Sequence, residues 1–351
     1  MVFSILTSAV ITSGERIVCM YFRLLDRWDE RRGQRSAAGK KRVELNLRRD
    51  LAFPEAESVT TLAEFGAIAA RAVEDSSSFY RLDDEVAATS WEGGWISFPS
   101  RVFTETSENN TVWAKVTEAR SSDHALVVFH HWNATSRNPQ LARFFAWHGL
   151  TVVEIAMPYH LERNRPGSTH ADYMLSANLG LTIRSVRQAV LDGRQLIAIL
   201  QLRGYKKLSV LGISLGSWVA GLIAAHDPTV TKAALFLSAG SLADMVWTGS
   251  ATRHIRASFE GEIDLHELRR AWAPISLDNY VDKLARPSLE LQLLLAKRDR
   301  VVLPALSESL ISKLDRSGAR SRVTRVNCGH YSLNLPPYII KAGLDTARFL
   351  S

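Results

Sequence analysis

The sequence predicts an α/β protein: a mostly parallel central sheet, helices on both of its faces, and a helical insertion. Three observations carry that prediction. Short continuous apolar runs, such as Ala125–Phe129, Leu150–Met157 and Leu208–Ile213, alternate with amphipathic stretches through residues 91–351. Such runs fit strands buried on both faces, and strand–helix alternation builds a parallel sheet. A Gly-x-Ser-x-Gly pentapeptide, Gly212-Ile213-Ser214-Leu215-Gly216, falls between one such run and an amphipathic helix. A long segment then separates the run ending near Ser238 from the run starting near Leu289, which places a lid-like insertion at about 240–286.

Residues 1–90 read as a basic helical extension and residues 91–351 as the catalytic-type domain. The first 50 residues hold eleven Lys/Arg against six Asp/Glu, so they carry most of the net charge of +7. Residues 1–12 are apolar without a basic segment before them, which disfavours a secretory signal, and Met20 is an alternative start. From Ile17 to Trp28 apolar residues recur every three or four positions, with Arg16, Arg23 and Arg27 on the other faces. That is an amphipathic helix, which either docks on the main domain or makes a peripheral contact with a membrane. Arg31–Arg42 reads as a linker, and a second helix covers Thr61–Val73.

Residues 95–104 and 111–118 flank a polar turn and predict an antiparallel hairpin. The strand Ala125–Phe129 comes next. Asn138-Pro139 opens a helix that runs through Trp147 and ends at Gly149. Beyond the strand Leu150–Met157, a long helix spans Asn178–Leu202. Strand Leu208–Ile213, helix Leu215–His226 and strand Lys232–Ser238 follow. After the insertion come strand Leu289–Ala296, helix Pro304–Leu314, strand Ser321–Val326 and helix Tyr338–Leu350.

In open parallel sheets, ligands sit beyond the carboxyl ends of the strands. That rule sorts the reactive residues. Ser214 stands at a strand-to-helix turn so tight that only glycines fit two residues to either side, a setting that exposes its hydroxyl as a nucleophile. His330 follows the last strand in Asn327-Cys328-Gly329-His330 and is the candidate base. Asp299, after strand Leu289–Ala296, is the candidate acid, and Asp244 is the alternative acid. The order Ser, acid, His matches the order in which strand–turn–helix serine enzymes place these groups. For an oxyanion hole the candidates are the backbone N–H groups of Leu215, at a helix N-terminus, and Trp132, after strand Ala125–Phe129. His130, His131, Tyr159 and His160 follow strand ends and are expected to line the substrate pocket, with at least one of His130 and His131 expected instead to be a packed structural residue. Arg253 is a candidate partner for an anionic substrate group. Cys328 lacks a turn of its own and reads as a small buried residue.

Several segments together resemble the α/β-hydrolase superfamily, and within it the α/β-hydrolase-domain-containing protein 18 group and its bacterial relatives. They are Met157-Pro158-Tyr159-His160, Arg165-Pro166-Gly167, Asp172-Tyr173-Met174-Leu175, Val246-Trp247-Thr248-Gly249, Thr252-Arg253-His254 and Cys328-Gly329-His330-Tyr331. The resemblance implies an α/β-hydrolase fold and a Ser-Asp-His triad at Ser214, Asp299 and His330. The chain departs from a common pattern at His130-His131, where many such proteins have His-Gly, and at Ser217, where many carry a second glycine.

The expected function is hydrolysis of a carboxylic ester, acyl or lipid, through an acyl-enzyme, with no metal and no organic cofactor. The alternative is a non-catalytic protein of the same fold that binds a lipid or a protein partner. Outside the N-terminus there is no basic signature for nucleic acid. Only two cysteines occur, Cys19 and Cys328, so there is no disulfide framework, and a cytoplasmic location is expected.

Overall fold

The computed structural model describes residues 13–54, 60–82 and 88–351. The expectations for residues 1–12 lie outside the described residues. Nine strands form one sheet: β1 (Ser90–Glu92), β2 (Trp95–Pro99), β3 (Thr111–Thr117), β4 (His124–Phe129), β5 (Thr151–Ile155), β6 (Lys207–Ile213), β7 (Val230–Phe236), β8 (Glu290–Ala296) and β9 (Arg320–Val326). Their order across the sheet is β1-β2-β3-β5-β4-β6-β7-β8-β9. The first three strands and the β3–β5 pairing are antiparallel, and β5, β4 and β6 to β9 run parallel.

Sequence alternation decides which side chains face which layer. Along β4, Ala125, Val127 and Phe129 join one core, while Leu126 and Val128 join the other. The first core packs under the helices Leu179–Leu202 and Leu215–His226 and under the insertion. The second packs under the helices Pro139–Trp147 and Tyr338–Leu350 and is closed by Leu25 of the N-terminal helix. With both faces covered, every residue of β4 and β5 is buried, which is why these strands read as continuous apolar runs.

The largest differences from the sequence reading lie toward the N-terminal end. The N-terminal helix runs Ser13–Ala37, so it includes much of the expected linker, because Arg31, Arg32, Gln34 and Arg35 are good helix formers. The first hairpin strand stops at Pro99 rather than at 104, and a 3-10 turn at Ser107–Asn110 precedes β3. A short extra strand, β1, extends the sheet beyond the hairpin. The insertion holds the helices Leu242–Thr248, Arg253–Phe259, Leu265–Ala271 and Val281–Leu284. Asp264 and Glu267 form a capping box, each side chain accepting from the other's backbone N–H at 2.8 Å. No helix among the described residues is long and apolar enough to cross a membrane.

Candidate active site

Each candidate residue follows the carboxyl end of a parallel strand. Ser214 comes directly after β6, Asp299 three residues after β8, His330 four residues after β9, and His130–Trp132 directly after β4. These strands are mutually parallel, so their ends share one edge of the sheet.

At Gly212–Gly216 the chain passes from β6 straight into the helix Leu215–His226, leaving Ser214 at φ 53° and ψ −123°. A residue with a side chain rarely adopts this conformation, and it persists only where the surroundings fix it. Here they do. The Ser214 N–H donates to the Phe236 carbonyl at 2.9 Å, and the Ser214 carbonyl accepts from the Ser217 N–H at 2.7 Å and the Ser217 hydroxyl at 2.6 Å. A Cβ on Gly212 would run into the Gly216 carbonyl, and one on Gly216 would run into the carbonyls of Phe129 and His130. Both glycines are therefore required by contact, and Gly216 presses the turn against the loop after β4. Leu215 occupies the first helical position, where its N–H has no acceptor within the helix and points where the dipole favours negative charge.

Asp299 and His330 meet directly: the Nδ1–H of His330 donates to Asp299 Oδ2 at 2.7 Å. The other carboxylate oxygen accepts from the N–H groups of Val301 (2.7 Å) and Val302 (2.9 Å). Asp299 is almost wholly buried, at 3% exposure, so its charge is stabilised by these three donors rather than by water. The two loops close on each other stepwise beyond the sheet. Lys297 N–H donates to the Val326 carbonyl at 2.8 Å, Arg298 N–H to the Cys328 carbonyl at 3.0 Å, and the side-chain pair is the next rung.

The alternative acid is placed differently. Asp244 forms an ion pair with Arg269 of the insertion, at 2.9 Å from Nε, and has no histidine partner among the described residues. Burial would raise its pKa, but the Arg269 guanidinium outweighs burial and holds the carboxyl below its usual range. With Arg269, Trp272 and Lys313 it lines a cavity of about 470 Å³.

The residues expected to line the pocket are mostly turned to another use. His160 is buried, its Nδ1–H donates to the Pro158 carbonyl at 2.8 Å, and its Nε2 accepts from the Asn133 N–H at 2.9 Å. His130 donates from Nδ1 to the His131 carbonyl at 2.9 Å and accepts the Met157 N–H at Nε2 at 3.1 Å. Both rings are thus fixed neutral braces between the loops after β4 and β5, packed at a 59° tilt with centroids 4.7 Å apart. Burial drives the His160 pKa to about 3, and desolvation followed by the charge of His160 takes His130 well below its ordinary value. Tyr159 is also buried, at 2% exposure, and its hydroxyl accepts from Arg184 at 3.2 Å. Position after a strand end did not distinguish a pocket wall from a brace. His131 is the most exposed of these residues, and it lies near His330: desolvation, then the charges of His330 and Arg32, bring its pKa to about 4. Arg253 is exposed at the start of its helix.

The Trp132 indole donates to the Ala171 carbonyl at 3.0 Å. Lys40 lies over its ring at 3.7 Å from the centroid, and the His254 ring stacks with it, 8° from parallel. Through His254 the insertion reaches the loop after β4. Cys328 is buried, and burial with the adjacent carboxylates of Asp29 and Asp299 pushes its thiol up to about 12, which removes it as a nucleophile. Among the described residues no group of three or more His, Cys, Asp or Glu is placed to hold a metal ion.

Sequence reasoning missed one set of contacts at this site. Asp26 and Asp29 of the N-terminal helix bind the loops that carry Asp299 and His330. The signal was present as two acids one turn apart, Asp26 and Asp29, just after the apolar Phe22 and Leu25 in a helix rich in arginine.

No protein-family model matches the chain, and no curated protein matches it. Solved structures do. An acetyl xylan esterase from a Thermoanaerobacterium species superposes with a TM-score of 0.57 at 15% identity, over 90% of this chain and 98% of that one. A Paenibacillus acetyl xylan esterase gives 0.58 at 12%, over 88% and 96%. The Pyrococcus horikoshii acylaminoacyl peptidase gives 0.58 at 10%, over 76% of this chain, which spans 41% of the peptidase. A nine-stranded, mostly parallel sheet clad by helices on both faces, with superpositions of this extent, is the α/β-hydrolase fold, and this chain carries it.

Proposed function

We propose that this protein is a serine hydrolase acting on a carboxylic ester through an acyl-enzyme. One observation carries the reading: the 2.7 Å hydrogen bond from His330 to a buried Asp299, at the same sheet edge as the strained Ser214. With Nδ1–H committed to Asp299, the imidazole has Nε2 free to take the Ser214 proton and later return it to the leaving alcohol. Asp299, held by its three donors, orients the ring and stabilises the imidazolium that forms. The N–H groups of Leu215 and Trp132 receive the oxyanion, Leu215 at the positive end of its helix. Membership of the α/β-hydrolase-domain-containing protein 18 group belongs to the same proposal and rests on the sequence motifs quoted above.

A fluorophosphonate probe tests the reading, since it reacts only with an activated serine. Wild-type protein is expected to be labelled at Ser214 and to cleave short and medium p-nitrophenyl acyl esters. Ser214→Ala is expected to lose both, with turnover falling by roughly 10⁶. Esterase activity that survives this substitution sinks the assignment, and a folded wild type that resists the probe favours a binding protein of the same fold.

A further inference from the structure

We propose that Asp29, on the N-terminal helix, is a positioning residue for His330, and that Asp26 one turn earlier plays the matching part for the loop of Asp299. The inference rests on the serine hydrolase reading and deepens it.

The segment after β9, Asn327-Cys328-Gly329-His330-Tyr331-Ser332, has no regular structure up to Ser332, and a glycine directly precedes the histidine. Such a segment does not hold an imidazole in one orientation by itself. The N-terminal helix supplies the missing constraint. Asp29 Oδ1 accepts the N–H of Tyr331 at 2.7 Å and the N–H of Ser332 at 3.1 Å, and its Oδ2 accepts the Ser332 hydroxyl. Ser332 Oγ in turn accepts the Gly329 N–H at 2.9 Å. One carboxylate thus fixes both chain neighbours of His330. The approach is close enough that a Cβ on Gly329 would run into the Asp29 carboxylate.

The second loop is held from the same helix. Asp26 takes both Nε and a terminal nitrogen of Arg298, with Nε at 2.7 Å, and Arg298 is the residue before Asp299. The Arg298 backbone N–H donates to the Cys328 carbonyl, so a force on either loop is felt by the other. Leu25, buried directly before Asp26, anchors the helix in the second core. Asp26 and Asp29 therefore set the register in which the Asp299–His330 hydrogen bond forms. Misplacing a reacting group by about 1 Å can cost about 100-fold in rate, so the effect should be visible in chemistry rather than in binding.

The experiment uses the full-length chain and the fluorophosphonate probe, separating the maximal inactivation rate from the half-saturating probe concentration, at temperatures well below each variant's melting point. Asp29→Ala is expected to slow maximal inactivation of Ser214 by about 10- to 100-fold, with half-saturation changed less than about twofold. Asp29→Asn keeps an oxygen for both backbone N–H groups and should retain at least about a fifth of the wild-type rate. Should Asp29→Ala fail to fold, Ser332→Ala cuts the link to Gly329 from the other end, and the same split, smaller in size, is expected. If the folded Asp29 and Ser332 variants melt earlier but are labelled at the wild-type rate, the helix is only a docking element and the inference falls. If the wild type itself is not labelled, the hydrolase reading falls first.

Discussion

At the scale of single residues, the proposed chemistry depends on one oriented proton. The Asp299 carboxylate accepts His330 Nδ1–H through one oxygen and two backbone N–H groups through the other, so a neutral amide at this position would present an N–H to Nδ1 and stabilise the wrong tautomer. Asp299→Asn is expected to lower kcat by about 10⁴ while leaving the melting temperature close to wild type. Steady-state kinetics on a p-nitrophenyl ester check this, and a loss smaller than tenfold contradicts the role given to Asp299. Ser214, Asp299 and His330 were legible in the sequence because each is tied to the end of its own strand, a local feature. Asp29 was not, because its partners lie 302 and 303 residues away and no local pattern links them.

At the scale of elements, the loops after β4 and β5 are joined by imidazoles that must stay neutral. His160 accepts the Asn133 N–H at Nε2 and so fixes the loop that carries Trp132. Its folded pKa of about 3 lies below the ordinary value of 6.5, so the unfolded chain binds a proton that the folded chain refuses. Stability from this group is present above pH 6.5 and is lost as the pH falls from there toward 3. The share amounts to about 2 kcal/mol by pH 5. Urea unfolding of wild type and His160→Gln at pH 7 and pH 5 measures it: the variant, which cannot titrate, should lose about that much less on acidification. An equal pH dependence in the two proteins excludes the brace. The sequence placed both elements and allowed for one structural histidine after β4, but took His160 for a pocket residue, since a strand end exposes a side chain in some loops and buries it in others.

At the scale of the whole molecule, the N-terminal helix closes the second core over β9 and the final loop. Cys328 lies beneath it, fully buried, while Cys19 is exposed on the helix. Its burial and the flanking Asp29 and Asp299 keep the Cys328 thiol protonated, with its pKa at about 12. Iodoacetamide at pH 8 is accordingly expected to modify one cysteine per native chain, Cys19, and two after denaturation, read by intact-mass spectrometry. Rapid modification of Cys328 in the native protein would mean that the helix does not stay docked. The basic charge of the N-terminal segment was evident from composition, but the side of the helix that matters to the site is its acidic one, where Asp26 and Asp29 face the body.

The sequence by itself determined the α/β order of strands and helices, the glycine-bounded serine turn, and the three residues that follow β6, β8 and β9. These are matters of period and short-range sterics, written within a few residues of one another. Only the tertiary structure decided that Asp299, rather than Asp244, meets His330, that His130 and His160 brace instead of bind, and that a helix from the start of the chain grips the loop near its end. Those outcomes depend on which groups a folded backbone brings within about 3 Å, a distance that spacing along the chain does not encode.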